Sequence, residues 1–303
     1  SANDYYGQRQ YDSASFYYNL SSTAFQEAGY PDKVGHALLR LGNCFYYQGD
    51  LPTALKTYLR CIEVYSKAFP EDHLKLASPI SGIGGVYVRL GEPLKAKEYY
   101  NEVYSILVSH HGENHIKLAP ILYNLGNVYM ELGDYDKARE YYLKTLPIYL
   151  DKYGESDRRI SNIYVNLGML YDKMGDITHA IEYYLKANEI DIGQHGESYW
   201  LLAYNYNNLG ISYDKLNSDS LALLHLKRSA EIARDNNLHE VLASSFTYLG
   251  NVYTRQRNYK EALNLYQQSI AVLGEHLSDQ HPLLNDNYIA ISAIERNRGN
   301  YTE

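Results

Sequence analysis

A glycine returns along this chain at almost fixed intervals, at positions 42, 84, 126, 168, 210 and 250, always after Leu or Ile, and Ile291-Ser292 stands in the next slot. The spacings are 42, 42, 42, 42, 40 and 42 residues. Glycine is only 21 of 303 residues, so six glycines in seven registers is a coincidence of roughly one in a million before the choice of phase. The chain is therefore a repeat protein, in which each unit touches chiefly its neighbours.

Other positions recur with the glycine. Three residues after it comes an aromatic: Phe45, Tyr87, Tyr129, Tyr171, Tyr213, Tyr253. Twelve after it comes alanine, in Ala54, Ala96, Ala138, Ala180, Ala222 and Ala262, and sixteen after it Tyr58, Tyr100, Tyr142, Tyr184, Leu226 and Tyr266. Spacings of three and four residues mark single faces of helices. Between glycine and alanine lies a breaker such as Gly49-Asp50, Gly133-Asp134, Asn217-Ser218 or Arg257-Asn258. Glycine ends a helix in the left-handed conformation, and Asp, Ser or Asn caps the next. The unit reads as helix A, tight turn, helix B. Glycine and alanine lie about equally far from the turn, so they are expected to face each other across the hairpin. Close packing there must offset the ~1 kcal/mol that a mid-helix glycine costs.

Leu122 or Tyr164, Leu125, Gly126, Tyr129, Ala138, Tyr142 and the small Thr145 resemble the tetratricopeptide repeat. The longer period and linkers such as Phe69–His73, His111–His115 and Leu277–Pro282 resemble the kinesin-light-chain type. The resemblance implies an all-α fold, a right-handed superhelix (α-solenoid) of antiparallel helix pairs. Residues 1–303 then form one array: a partial repeat over 1–30, repeats over about 31–70, 71–112, 113–154, 155–196, 197–236 and 237–278, and a partial repeat over 279–303. Tyr5, Ala14 and Tyr18 match repeat positions, and Gly299-Asn300-Tyr301 repeats the turn signal, so both ends fall inside repeats. We expect a piece of a longer protein.

Composition narrows the function. A formal net charge of −8 and no Lys/Arg block argue against nucleic acid and anionic lipid as partners. No apolar run approaches the ~20 residues of a membrane span. No signal peptide is visible, and a cytoplasmic location is expected. Cys44 and Cys61, the only cysteines, read as buried free thiols or as a redox pair. Most of the 35 tyrosines read as packing residues with wet tips.

No catalytic constellation stands out, and no cofactor or metal site is expected. Gly82-Ile-Gly84-Gly85 falls inside a helix without a preceding strand or a Lys-Ser/Thr, so it is no nucleotide loop. His73, His115, His239 and His281 recur once per repeat and read as linker caps. His110, His111 and His115 lack supporting ligands beyond Glu113. Asn19-Leu-Ser21 and Asn300-Tyr-Thr302 fit the glycosylation pattern, which chance satisfies easily.

The exposed stripe of helix A runs at −6, −2, +1 and +5 from the glycine, and in tetratricopeptide arrays helix A lines the concave side. It carries Arg40, Asn124, Asn166 and Asn208 at −2, Asn43, Asn127 and Asn251 at +1, and Tyr47, Arg89, Glu131, Lys173, Lys215 and Arg255 at +5. Asparagine is a poor helix former, but its amide can grip an extended peptide backbone. The column resembles the asparagine ladder of peptide-binding tetratricopeptide grooves. Two readings stand: a ligand groove, or amides that bond between neighbouring helices. With its flanking cations, the groove would suit acidic segments or a C-terminal carboxylate.

The expected function is a non-catalytic scaffold that binds a protein or peptide, as a monomer or with weak self-association. The alternative is the sensor segment of a larger effector, since such arrays resemble regions of bacterial caspase-like proteases and other regulators. An enzyme in its own right has no supporting residues.

Overall fold

The structure, a computed structural model, describes residues 10–277 and 280–297. Their regular structure is helical throughout, with no strand among the described residues. Two compact units divide the chain at residues 152 and 153. The first contains α1 (Tyr11–Glu27), α2 (Pro31–Gln48), α3 (Leu51–Ala68), α4 (Leu74–Arg89), α5 (Pro93–His111), α6 (Ala119–Glu131) and α7 (Tyr135–Tyr153), which ends at the boundary. The second contains α8 (Arg158–Lys173), α9 (Ile177–His195), α10 (Leu202–Lys215), α11 (Asp219–Asp235), α12 (His239–Arg255), α13 (Tyr259–His276) and α14 (Pro282–Asn297). Even-numbered helices are the A helices of the pattern and odd-numbered ones the B helices. Tyr5, Gly299-Asn300-Tyr301 and Asn300-Tyr-Thr302 lie outside the described residues, whereas Asn19 sits within α1.

Left-handed residues make the turns. Gly49, Gly91, Gly133 and Gly175 have φ of 86, 69, 77 and 81°. Asn217 and Arg257 take the same place in α10–α11 and α12–α13, at 55 and 60°. There a side chain costs ~1 kcal/mol that glycine avoids. The side chains of Asp50, Asp134, Asp176 and Asn258 accept the backbone N–H three residues on and cap α3, α7, α9 and α13. Ser218 holds the equivalent position before α11 without a side-chain cap. Of the linker histidines, His115 and His281 accept the N–H two residues on. His73 makes no such bond, and His239 stacks on His276 with ring centroids 3.7 Å apart.

The six alanines are fully buried, and the side chain that stands nearest each of the repeat glycines is the one sixteen residues on. A Cβ on Gly42, Gly126, Gly168 or Gly250 would lie 2.6 Å from the ring of Tyr58, Tyr142, Tyr184 or Tyr266 respectively. Side chains of helix B tilt toward its N-terminus, which is the turn. The long tyrosine one turn past the alanine therefore leans back onto the glycine. Gly210 meets Leu226 instead, at 2.4 Å. The glycine makes room for a ring.

The interior differs between the units. In the first, Val34, Leu38, Leu41, Cys44, Cys61 and Tyr65 form one cluster, and Ala54, Tyr58, Ile83 and Val86 another. Both cysteines are free, and burial pushes the thiols up to about 11 at Cys44 and about 12 at Cys61. The second unit carries a buried seam of small polar side chains between repeats. Asn207 Nδ2 donates to Ser244 Oγ (3.1 Å), and Ser245 Oγ lies 3.1 Å from Asn207 Oδ1 and 2.9 Å from Ser229 Oγ. One repeat on, Thr247 Oγ1 donates to Asn287 Oδ1 (2.9 Å) and Asn287 Nδ2 donates to Ser269 Oγ (2.9 Å). The positions equivalent to Asn207, Ser245 and Ser229 hold Leu39, Pro79 and Cys61 between α2 and α4, and Ser81, Ile121 and Val103 between α4 and α6.

Candidate partner-binding groove

In the first unit α2, α4 and α6 lie side by side, and their exposed stripes enclose a groove of about 800 Å³. Arg40, Asn43, Tyr47, Asn124 and Asn127 line it, as the pattern predicts. So do Tyr46, Ser78, Ser81, Tyr100 and Lys117, which it did not single out. Ser78 could have been found, since it occupies the −6 position of the same stripe. Arg89 and Glu131 belong to the stripe but do not line the groove. Not one carboxylate is among the lining residues, on a chain whose formal net charge is −8.

The asparagines divide into two chemical groups. At +1, the amide oxygens of Asn43, Asn127 and Asn251 accept the hydroxyls of Tyr58, Tyr142 and Tyr266 at 2.7, 2.7 and 2.8 Å. These bonds close the hairpin from A to B, so each such asparagine locks the ring that sits against the glycine. At −2, Asn124 and Asn208 are half-buried and their amides make no hydrogen bond among the described residues. Asn166, also half-buried, shares that position in α8. Asn124 and Asn208 thus present whole amides of the kind a ligand backbone needs.

Three of the +5 cations are engaged with the preceding repeat. Arg89 donates to the carbonyl oxygen of Tyr46, with its guanidinium 5.0 Å from that ring's centre. In the second unit Lys215 pairs with Asp172 at 2.7 Å, and Arg255 reaches both Asp214 and Asp219 at 2.6 Å. The cation at +5 thus meets an acceptor at +4 one repeat earlier, an inter-repeat staple. Lys173 is exposed and makes no ion pair among the described residues. Partly exposed pairs contribute little each. Arg255→Met is expected to cost about 1 kcal/mol at low ionic strength, because two carboxylates lose their partner, and less in high salt. Thermal unfolding at two salt concentrations reads this directly, and a salt-independent loss would point to lost packing instead.

Two further observations bound the chemistry. Among the described residues no group of three or more His, Cys, Asp or Glu side chains is placed to hold a metal ion. No helix of the described residues is long and apolar enough to cross a membrane.

Family models for the tetratricopeptide repeat match residues 33–107, 117–193, 159–235 and 242–283. The chain belongs to the tetratricopeptide-repeat family. Solved structures with the tetratricopeptide architecture agree. The apo form of RapI superposes with a TM-score of 0.75 at 20% identity, covering 97% of this chain and 80% of that one. BtubC (BKLC) from P. vanneervenii gives 0.63 at 24% identity, covering 77% of this chain and 94% of that one. A chain of the APC/C hetero-tetramer Cut9-Hcn1 gives 0.64 at 17% identity over 92% of this chain and 46% of that one. At such identities the likeness speaks for fold alone. No protein of curated function matches the chain.

Proposed function

We propose that the chain is a non-catalytic scaffold that captures an extended peptide of a partner protein in the groove of its first unit. The observation that carries this is the groove's lining: apolar side chains such as Leu39, Val88 and Ile121, uncharged amides and hydroxyls, the cations Arg40 and Lys117, and no carboxylate, within an acidic protein. Such a surface favours acidic segments through charge complementarity, which steers encounter and rejects basic competitors. Asn124, with an amide that no protein group uses, is the residue expected to hold the ligand backbone. A cytoplasmic setting goes with this reading, since Cys44 and Cys61 are unpaired.

The test is capture of synthetic peptides by the purified chain. Asn124→Ala is expected to leave helicity and melting unchanged and to weaken capture roughly tenfold, as loss of a central polar contact does. Capture that survives the substitution undiminished sinks the proposal.

A further inference from the structure

At the centre of this groove the repeat pattern is broken in one informative place. The +1 position holds the asparagine that takes up the helix-B tyrosine hydroxyl in α2, α6 and α12. In α8 it is Met169, with the tyrosine kept as Tyr184, and in α10 it is Ile211, with Leu226 in the tyrosine's place. In α4 it is Gly85, with the tyrosine kept as Tyr100 and no side chain at +1 to stand beside it. Tyr100 is 3% exposed, and its hydroxyl makes no hydrogen bond among the described residues. That oxygen lies 3.7 Å from where a Cβ on Gly85 would stand. The hydroxyl of Tyr46, likewise without a hydrogen-bond partner, lies 3.6 Å from the same point.

Gly85 differs from its neighbours in what it leaves open. A Cβ on Gly82 or Gly84 would run into Tyr58 or Tyr100 at 2.6 Å, so at those positions the glycine makes way for a ring of the protein itself. At Gly85 every neighbour stands at ordinary contact distance or beyond. Nothing in the packing requires a glycine here, and a helix interior disfavours one by ~1 kcal/mol. What the glycine provides is a notch in the groove floor on which two phenolic donors converge, with Arg40 in the lining of the same groove. Burial pushes both phenols above the usual tyrosine range, although the Arg89 charge draws Tyr46 back, so both are neutral O–H donors at ordinary pH.

We propose that the notch at Gly85 receives the carboxylate of an Asp or Glu side chain from the bound peptide. Its oxygens accept from Tyr46 and Tyr100, and the Arg40 charge compensates its own. Two donors without an internal acceptor match an acceptor-only group, and hydrogen bonds to an ionised carboxylate are the stronger kind. This rests on the groove reading above. It adds that one position of the peptide is read, and by which residues.

The experiment uses immobilised decapeptide pools with a central Glu or a central Gln, the other positions randomised without Asp and Glu, probed with the labelled full chain. Wild type is expected to capture the Glu pool about tenfold better. Gly85→Asn supplies the amide that the tyrosine hydroxyls of three other repeats already use, fills the notch, and is expected to melt no lower than wild type while losing the preference. Tyr100→Phe is expected to reduce it with the fold intact. If both variants keep the full Glu preference, the notch proposal is overturned. If wild type captures both pools equally and Asn124→Ala abolishes capture, the notch fails while the groove stands. If wild type captures neither pool, or Asn124→Ala changes nothing, the groove fails with it.

Discussion

Gly126→Val is expected to destabilise the first unit by about 3 kcal/mol, a drop in melting temperature of roughly 10 °C. The new Cβ would stand 2.6 and 2.7 Å from Cε1 and Cδ1 of Tyr142. That ring cannot swing aside cheaply. It is fully buried, and its hydroxyl is tied to Asn127 at 2.7 Å. Either α6 and α7 separate, or the tyrosine leaves its place and gives up its bond. Valine adds branching that no rotamer relieves. Gly85→Ala is the control, because its Cβ meets only ordinary contacts and should gain up to ~1 kcal/mol of helix propensity. Thermal unfolding followed by helical circular dichroism separates the two. A Gly126→Val chain that melts with wild type would show that the ring is not wedged.

Replacing Asp191 should have the opposite sign. This aspartate sits on α9 where the other repeats bury Tyr65, Leu107, Tyr149, Ala233 and Leu273, and it is itself 2% exposed. Burial raises its pKa; a hydrogen bond from Ser161 and the charges of His195 and Arg158 only partly counter this. Asn205 Nδ2 approaches to 3.5 Å, and the amide of Asn188 next to it is buried with neither atom bonded. A folded-state pKa above the unfolded one means that ionisation costs stability at every pH above the folded value. The cost fades as pH falls through that value toward the ordinary carboxylate range. Asp191→Asn is therefore expected to stabilise the second unit by about 1–2 kcal/mol at pH 7.5, with the gain vanishing near pH 4. Urea unfolding at the two pH values measures it. A variant less stable than wild type at pH 7.5 would mean that Arg158 and His195 make the carboxylate a net asset.

The helices were legible because their signals are local. A 3.6-residue period, Gly-Asp turns and the prolines Pro52 and Pro93 just inside α3 and α5 all act within a few residues, so α3, predicted from its alanine and tyrosine, runs over Leu51–Ala68. The groove residues were legible for the same reason, since Arg40, Asn43, Asn124 and Asn127 share one stripe. What crosses between helices was not. The glycine–tyrosine contact depends on which way helix-B side chains lean, which equal distance from the turn does not show. Arg89, Lys215 and Arg255 read as a positive rim until the acceptor one repeat earlier comes into view. The distinction between Asn127, tied to Tyr142, and Asn124, not tied, needs coordinates, because both are asparagines on one face three residues apart.

The hydroxyl and amide seam through the second unit has a consequence for how such a chain can change over time. Apolar side chains such as Leu39 and Pro79 tolerate exchange, because others of similar bulk will serve. Asn207, Ser245 and Ser229 answer one another donor to acceptor, and losing one strands the others without water. A hairpin copied from the first unit into the second would therefore bring the right shape and the wrong grammar. A transplanted hairpin is expected to pack between α10 and α14 only when it carries the matching hydroxyls and amides.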